Sequence, residues 1–296
     1  MYKRQHLTTD TVALYIDTSG EALFKRGWRE DKGEAPLKET LAAAMLAASG
    51  WNDTPDMPLY DPCCGSGTIA IEAAQIACNI APGAMRRFAF EKMLPFQSHV
   101  WDAVLDEAHR AQRLPPPGQR PTIFGSDVAH RMVDFAQRNA ERAGVADAIK
   151  FRGGDALQRM PPCESPGIML VNPPYGQRIE AAGVAGVGHQ QQRRSAATPP
   201  QDDALASPGG REQAQTDDGG DFFVQLAAHW KKNYAGWTAW LLTPDLKLPG
   251  KMRLKATRRV PMWNGPIECR MFRFDMVQGS ARADKAADKA TDSTAG

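Results

Sequence analysis

The sequence has few cysteines, no long apolar run and no excess of charge of either sign. Its 296 residues include five cysteines and no Cys-x-x-Cys pair, which argues against zinc sites and disulfide frameworks. Lys and Arg number 36 against 34 Asp and Glu, so a polyanion-binding face would have to be local. No apolar stretch reaches the length of a membrane span, and the first residues lack the apolar core of a signal peptide. These absences predict a cytoplasmic protein with no metal and no membrane attachment.

Apolar runs typical of strands alternate with helical patterns along the chain. Alternation of this kind predicts an α/β fold with a mostly parallel sheet, and Asn264-Gly265 is a strong turn signal for an antiparallel hairpin at one edge. Strands are predicted at 57–60, 122–125, 149–152, 168–171, 237–242, 258–263 and 268–276, and helices at 36–48, 69–80, 128–143 and 222–234.

Composition predicts the domain boundaries. Residues 1–30 contain a predicted hairpin, Val12–Asp17 with Glu21–Arg26, and read as the remnant or linker of a preceding region. Residues 31–278 form the main domain. It contains an insertion at 81–120, helical near 100–111, and a polar segment at 181–220 that is predicted to be disordered. The polar tail 279–296 is predicted to be disordered as well.

The tetrad Asn172-Pro173-Pro174-Tyr175 follows the buried-type strand 168–171. It therefore stands at the carboxyl end of a parallel strand, where open α/β sheets bind ligands. The Asn amide offers one acceptor and one donor group, the prolines prevent a helix, and the Tyr ring can stack. This set suits a planar group with an exocyclic amine. The alternative is a tight turn, because Asn-Pro commonly begins one.

A glycine-rich turn, Asp61-Pro62-Cys63-Cys64-Gly65-Ser66-Gly67-Thr68, joins the first predicted core strand to its helix. Glycines let backbone amides approach a ligand closely, and the helix amino terminus favours an anion. Neither the Gly-x-Gly-x-x-Gly nor the Gly-x-x-x-x-Gly-Lys pattern is present, which argues against ordinary dinucleotide and P-loop sites. The alternative is a purely structural turn.

Two further carboxylates end predicted strands. Asp127, in Gly125-Ser126-Asp127, suits the two hydroxyls of a ribose, although it could equally cap the following helix. Asp155, in Gly153-Gly154-Asp155-Ala156, suits an adenine amine, although it could be a turn carboxylate. Because the carboxyl ends of parallel strands meet at one sheet edge, these residues are expected to lie near Asp61 and Asn172.

Three of these motifs, in chain order, resemble the class I S-adenosylmethionine-dependent methyltransferases: the glycine-rich turn Asp61–Thr68, Gly125-Ser126-Asp127 and Asn172-Pro173-Pro174-Tyr175. The flanking segments resemble the THUMP-associated RNA methyltransferases, and among them the bacterial 23S rRNA guanine-N2-methyltransferases. These flanking segments are Arg26-Gly27-Trp28-Arg29, Ala35-Pro36-Leu37-Lys38-Glu39-Thr40-Leu41-Ala42-Ala43, Asn79-Ile80-Ala81-Pro82-Gly83 and Trp263-Asn264-Gly265-Pro266-Ile267-Glu268-Cys269-Arg270. The resemblance covers roughly residues 12–180 and 221–277 and implies a Rossmann-like, seven-stranded sheet. It also implies an RNA-binding THUMP domain before residue 12, and a shorter loop after Tyr175 than this chain has.

The resemblance implies S-adenosylmethionine as cofactor, 23S rRNA as partner and transfer to a guanine N2 amine by a monomeric enzyme. The implied cofactor residues are Asp61, Cys63, Gly65, Ser66, Gly67, Thr68, Asp127, Asp155, Ala156 and Asn172. The implied catalytic residues are Asn172, Pro173 and Tyr175. Tyr175, Arg178, Arg258 and Arg259 are expected to contact the substrate, the last two from a basic stretch that could instead be a solvated loop.

Three other functions remain open from the residues. Asn-Pro-Pro-Tyr also serves protein-glutamine methyltransferases and DNA adenine-N6 methyltransferases, since a glutamine amide and an adenine are planar groups with a similar amine. A relative that binds RNA without catalysis is the remaining alternative.

Overall fold

The computed structural model describes residues 3–33, 36–116, 118, 121–173 and 220–277. Predictions for Pro174, Tyr175, Arg178, residues 181–219 of the polar segment and the tail 279–296 lie outside the described residues. Gly220, the last residue of the segment predicted to be disordered, is instead the first residue of a helix. In the described part of the chain, no helix is long and apolar enough to cross a membrane.

Nine strands and six helices form the described framework. The strands are β1 (Lys3–Leu7), β2 (Val12–Ile16), β3 (Leu59–Asp61), β4 (Ile123–Asp127), β5 (Ile149–Gly153), β6 (Ile168–Val171), β7 (Thr238–Thr243), β8 (Arg258–Asn264) and β9 (Ile267–Asp275). The helices are α1 (Glu39–Ser49), α2 (Thr68–Ala77), α3 (Ser98–Arg110), α4 (His130–Arg142), α5 (Gly220–Asn233) and the short α6 (Leu248–Lys251). Single 3-10 turns occur at Trp51–Asp53, Ala89–Lys92 and Ala146–Ala148.

Seven strands form one mixed sheet in the order β5-β4-β3-β6-β7-β9-β8. The pairs β4–β5, β3–β6 and β6–β7 are parallel, whereas β9 runs antiparallel to both β7 and β8. The expected mostly parallel seven-stranded sheet with an antiparallel carboxyl-terminal hairpin is therefore confirmed. The chain divides into two compact units, Met1–Met57 with Cys64–Gly153 and Pro58–Cys63 with Gly154–Gly296.

The first unit is built around α2, whose apolar residues from Ile69 to Ala74 are buried on all sides of the helix. α2 packs against α1, α4, β4 and β5. The indoles of Trp28 and Trp51 are fully buried in the same unit. A helix without an exposed face fits its position between other helices and the sheet.

The second unit contains the buried strands β6 and β7. Every residue of β6 is buried, as its continuous apolar run predicted, and β7 is buried from Ala239 to Thr243. The Tyr60 and Tyr234 rings stack with centroids 6.3 Å apart. Val171, the last residue of β6, is fully buried in this packing. The packing therefore fixes the position of Asn172, which follows it.

The predicted hairpin at 12–26 is wrong in its second strand. β2 pairs instead with β1, and residues 21–26 form turns. The Arg86 guanidinium donates hydrogen bonds to the carbonyl oxygens of Ser19, Glu21 and Ala22. Because a side chain satisfies these carbonyl groups, the segment needs no strand partner.

The first long helix begins at Glu39, not at Pro36 as predicted. Lys38 before it has extended backbone angles, with φ −70° and ψ 138°. The Leu37 carbonyl oxygen accepts a hydrogen bond from Arg29 Nη2 at 3.2 Å. The start of the segment is thus held extended beside Arg29.

Candidate functional site

Asp61 ends β3 in the second unit and is 2 % exposed. Its Oδ1 atom accepts a hydrogen bond from the Cys63 N–H at 3.1 Å. A carboxylate that bonds a backbone amide two residues later closes a turn. This turn is the alternative that was considered for the segment, and half-buried Cys63 lies in it.

The glycine-rich turn continues in the first unit from Cys64 to Thr68, where α2 begins. Gly67 has φ +88°, and an added Cβ would lie 2.9 Å from Ala136 Cβ and 3.2 Å from the Phe151 ring. The turn therefore needs glycine here both for its backbone conformation and for close packing. Its backbone is also fixed by a 2.9 Å hydrogen bond from the Cys64 N–H to the Ser126 carbonyl oxygen.

The Arg29 guanidinium holds both polar side chains of this turn. It donates to Ser66 Oγ at 2.8 Å and to Thr68 Oγ1 at 2.7 Å. A third hydrogen bond, 2.7 Å long, runs to Glu39 Oε1 at the start of α1. The side chains of Arg29 and Glu39 are 12 % and 4 % exposed, so this ion pair is largely shielded from water.

Asn139 on α4 fixes the backbone of the same turn. Its Nδ2 atom donates to the carbonyl oxygens of Ser66 at 3.1 Å and Asp31 at 2.8 Å. Its Oδ1 atom accepts from the Arg142 guanidinium at 2.8 Å. Arg29 and Asn139 were not identified as site residues from the sequence, because they contact the turn from distant parts of the chain. Glu39 was not identified either, and it contacts Arg29 rather than the turn.

Asp127 at the end of β4 contacts the glycine-rich turn directly. Its Oδ2 atom accepts from the Gly65 N–H at 2.9 Å, and its Oδ1 atom accepts from the Ala129 N–H at 3.0 Å. Burial raises the pKa of Asp127, and the hydrogen bonds from Ala129 and Gly65 act in the opposite direction. The structure thus joins two predicted site residues, Gly65 and Asp127, and shows a bond to the residue before α4 as well.

Asp155 and Ala156 follow β5 along the chain and lie in the second unit. The Asp155 Oδ1 atom accepts from the Leu157 N–H at 2.9 Å, which is the turn role considered as its alternative. Ala156 is buried.

Asn172 has a buried acceptor atom that is not used. Its Oδ1 atom is shielded from solvent and has no hydrogen-bond partner among the described residues. An unsatisfied buried polar atom costs about 1–3 kcal/mol, and native proteins rarely retain one without a reason. The following residue, Pro173, is buried and contributes no N–H that could satisfy it.

The two arginines predicted to contact substrate, Arg258 and Arg259, lie next to each other on β8 in the second unit. Arg258 lies over the Trp240 ring, with its Cζ atom 5.9 Å from the ring centroid. Arg259 is exposed and has no carboxylate within ion-pair distance in the described part of the chain. No cluster of metal-binding side chains occurs in the ranges that the structure describes.

The chain is similar in sequence to curated methyltransferases. It is 37% identical over 284 residues to the ribosomal RNA large subunit methyltransferase K/L of Shewanella amazonensis, covering 96% of this chain and 35% of that protein. The Shewanella sediminis protein of the same name is 38% identical over 265 residues, covering 89% and 32%. The chain thus spans about a third of the length of the curated relatives it matches.

Solved structures agree with this similarity. A proposed methyltransferase complexed with SAH superposes with a TM-score of 0.71 at 28% identity, covering 94% of this chain and 62% of the other. A Listeria monocytogenes protein described as a predicted N6-adenine-specific DNA methylase gives a TM-score of 0.70 at 30% identity, covering 92% and 60%. The family model for the RMKL-like methyltransferase domain matches residues 26–197, more than half of the chain. The chain therefore belongs to the family of RMKL-like methyltransferase domains.

Proposed function

We propose that this chain transfers a methyl group from S-adenosylmethionine to ribosomal RNA, and that the acceptor is the exocyclic N2 amine of a guanine in 23S rRNA. Family membership supports methyl transfer, and the name of the curated relatives supports ribosomal RNA. The SAH in a structural neighbour supports the cofactor. We place this activity in the cytoplasm, where the ribosome works.

The observation that carries the proposal is the buried, unused Oδ1 atom of Asn172. A guanine amine is a weak nucleophile because its lone pair is delocalised into the ring. An Asn172 Oδ1 atom that accepts one amine hydrogen would direct the lone pair away from the ring plane and stabilise the positive charge that develops on nitrogen. The amine would also satisfy the buried oxygen, so one contact has both effects.

The other residues of the tetrad complete the proposed acceptor site. The Pro173 carbonyl oxygen would accept the second amine hydrogen, and the Tyr175 ring would stack on the base. A base within folded RNA would first leave its stack. S-adenosylmethionine supplies the electrophilic sulfonium methyl group. Most of the rate would come from holding the amine in line with that methyl group, and the proton would leave to water after transfer.

We assign the cofactor contacts by the chemistry of each residue. In the first unit, Ser66 and Thr68 offer polar groups beside a helix amino terminus, and Gly65 and Gly67, whose amides already bond Asp127 and Cys64, would allow close approach of the ligand. Asp127 offers lone pairs for ribose hydroxyls. In the second unit, Asp61 would attract the methionine amine, and Asp155 would accept from the adenine amine. Cys63, Ala156 and Asn172 would line the remaining cofactor surface.

Methyl transfer is tested with methyl-labelled S-adenosylmethionine and three acceptors in parallel: 23S rRNA, a release-factor protein and duplex DNA. We expect label in the rRNA, at guanine N2 after nuclease digestion. Asn172→Ala should lower the transfer rate by roughly 100- to 1,000-fold, which is typical of a lost charge-stabilising contact, while SAH binding is retained. Near-normal turnover by this variant would refute the role of Asn172.

A matched control is Asn233→Ala, because the Asn233 amide bonds His229 within α5 and should not affect transfer. DNA adenine methylation is the second candidate, since a structural neighbour is described as an N6-adenine DNA methylase. The same Asn172 contact would serve an adenine amine. Label in DNA, and none in rRNA, would favour that function.

A further inference from the structure

Strand alternation places the neighbouring Arg258 and Arg259 on opposite faces of the β8–β9 hairpin. Successive residues of a strand point to opposite sides, and directly paired residues of neighbouring strands share a side. Arg258, Arg273 and Trp240 form one cross-strand row. Arg259 pairs with Phe272 in the adjacent row, and Pro261 pairs with Arg270 two residues further along β8. We call the side with Arg259, Pro261, Trp263, Arg270 and Phe272 the Arg259 face.

The Arg259 face contains a cavity of about 360 Å³. Its lining combines the apolar residues Leu246, Pro261 and Phe272 with the cationic residues Arg259 and Arg270. Apolar walls beside two cations suit a ligand that has both a flat apolar part and negative charge. A nucleotide has this combination.

Charge on the Arg259 face is available for an anion. Arg259 has no acidic partner in the described ranges. The Arg270 Nη2 atom pairs with Glu268 Oε1 at 2.8 Å, but the Glu268 side chain is 60% exposed. Exposed ion pairs are weak, so a phosphate could displace Glu268 at little cost.

Trp263 adds an exposed aromatic ring to the Arg259 face. Its exposed fraction is 59%, whereas Trp28, Trp51, Trp230 and Trp240 are fully buried. It precedes the turn Asn264–Ile267, in which Gly265 has φ +65°. Glycine with positive φ at the first central position is typical of a tight hairpin turn, which fixes the position of Trp263. Exposed aromatic rings beside arginines are how proteins stack unpaired bases.

The sheet register connects the Arg259 face to Asn172 within the second unit. Val171 pairs with Leu241, Leu241 with Phe272, and Phe272 with Arg259. Three strand spacings separate Arg259 from Val171, or about 14 Å. Arg270, Pro261 and Trp263 lie further along, on the side toward which β6 ends. A few nucleotides of extended RNA can bridge this distance.

We propose that the Arg259 face is a nucleotide subsite for single-stranded RNA beside the methylated base. Arg259 and Arg270 bind a phosphate, and Trp263 stacks on a base. This inference rests on the proposed function for the identity of the RNA. The sequence suggested Arg258 and Arg259 together as substrate contacts. The proposal assigns this subsite to Arg259 and not to Arg258, because only Arg259 lies on the face with the cavity.

The test measures RNA binding independently of methyl transfer. The probe is a short fluorescein-labelled oligoadenylate, titrated into the full chain while its anisotropy and the protein's tryptophan fluorescence are recorded. Arg259→Ala should weaken binding and reduce the slope of log K against log salt by roughly 0.7, the value for one phosphate contact on a single strand. Trp263→Ala should weaken binding roughly tenfold, as the loss of one stacked base does.

Two further variants separate binding from folding. Trp263→Phe keeps a stacking ring, so it should retain most of the affinity and lose most of the fluorescence quenching. Glu268→Gln leaves Arg270 without its acidic partner and should tighten binding. Lys150→Ala, which removes an exposed cation from β5 in the first unit, is the matched control and should leave the affinity unchanged.

Equal affinity and salt dependence for the unaltered chain, Arg259→Ala and Trp263→Ala would overturn the subsite, as would no binding by the unaltered chain. RNA binding without methyl transfer to rRNA would overturn the proposed function and leave the subsite standing. Methyl transfer to rRNA with an unchanged KM for rRNA in both Arg259→Ala and Trp263→Ala would overturn the subsite and leave the proposed function standing.

Discussion

The Arg29 guanidinium joins three parts of the first unit: the segment before α1, the start of α1, and the turn before α2. Its partners Ser66 and Thr68 belong to the turn assigned to the cofactor, whereas Glu39 lies outside it. Arginine suits this position because its planar group has five N–H donors in a fixed arrangement. We infer that Arg29 is a positioning residue for this turn.

Arg29→Lys should lower SAH affinity roughly tenfold, because one or two hydrogen bonds of about 1 kcal/mol each are lost. The Lys ammonium keeps the charge beside Glu39, so the fold should persist. Isothermal titration with SAH measures the affinity, and urea unfolding measures the stability.

Arg26→Lys is the matched control for Arg29→Lys. Arg26 pairs with the buried carboxylate of Glu72 at 3.1 Å and 3.2 Å and, among the described contacts, has no bond to the glycine-rich turn. It should lower the free energy of unfolding without changing SAH affinity. If Arg29→Lys and Arg26→Lys both bind SAH as tightly as the unaltered chain, Arg29 has only a structural role.

Asp127 shows that two roles suggested by sequence can coexist in one side chain. Its carboxylate bonds the Ala129 amide ahead of α4 and the Gly65 amide of the turn. A carboxylate has about four lone-pair sites, so two contacts leave room for ribose hydroxyls. The raised pKa, caused by burial, is consistent with a site that is partly closed to water.

At the scale of elements, the sequence predicted most strands and helices to within two or three residues. β6 agrees at both ends because its four apolar residues are all buried, and Gly167 precedes them and polar Asn172 follows. The strand predicted at 21–26 failed because Arg86, some 60 residues away, satisfies its carbonyl groups. Local pattern contains no information about such a partner.

The residues of the candidate site divide in the same way, into those with a local sequence signal and those that depend on distant partners. The motif residues Asp61, Gly65, Gly67, Asp127 and Asn172 were predictable, since strand ends and glycine turns have local signals. Arg29 and Asn139 were not, because they reach the turn across 37 to 73 residues of chain, and Glu39 was not, because it acts on the turn through Arg29. Their one local signal is polarity at positions otherwise apolar, such as Glu39 at the start of a helix with a buried face.

Asp31 connects the segment before α1 to α4 through ion pairs with Arg138 and Arg142. We therefore expect the stability of the fold to depend on pH in acid. The hydrogen bond from Arg138, together with the charges of Arg138 and Arg142, holds the Asp31 pKa below its usual value of 3.8. A lowered pKa in the folded state stabilises the fold above pH 3.8, and this contribution is lost as the pH falls through the folded-state pKa.

Asp31→Asn should therefore reduce the free energy of unfolding at neutral pH, and the difference from the unaltered chain should vanish below the folded-state pKa of Asp31. Urea unfolding across a pH series measures it. Asp102→Asn serves as control, because this exposed carboxylate on α3 has no ion pair in the described part of the chain. A difference that persists at the lowest pH would show that the Asp31 charge is not its cause.

At the scale of the whole molecule, the glycine-rich turn connects cofactor binding to folding. It is held by α1 through Glu39 and Arg29, by α4 through Asn139, and by β4 through Asp127. A ligand that binds only the folded chain stabilises it by RT ln(1 + [L]/Kd), or about 2.7 kcal/mol when its concentration is 100 times Kd. SAH at that concentration should raise the thermal midpoint by several degrees.

The SAH-induced shift in midpoint separates the two halves of the proposed reaction. Asn172→Ala should keep most of the shift, because Asn172 is proposed only to line the cofactor surface while its amide holds the methyl acceptor. The variant should lose methyl transfer to rRNA. Arg29→Lys should reduce the shift and keep residual transfer at saturating cofactor. A chain that shows no shift with SAH, and still transfers label from S-adenosylmethionine, would contradict binding at the glycine-rich turn, since product and substrate share every cofactor group except the methyl.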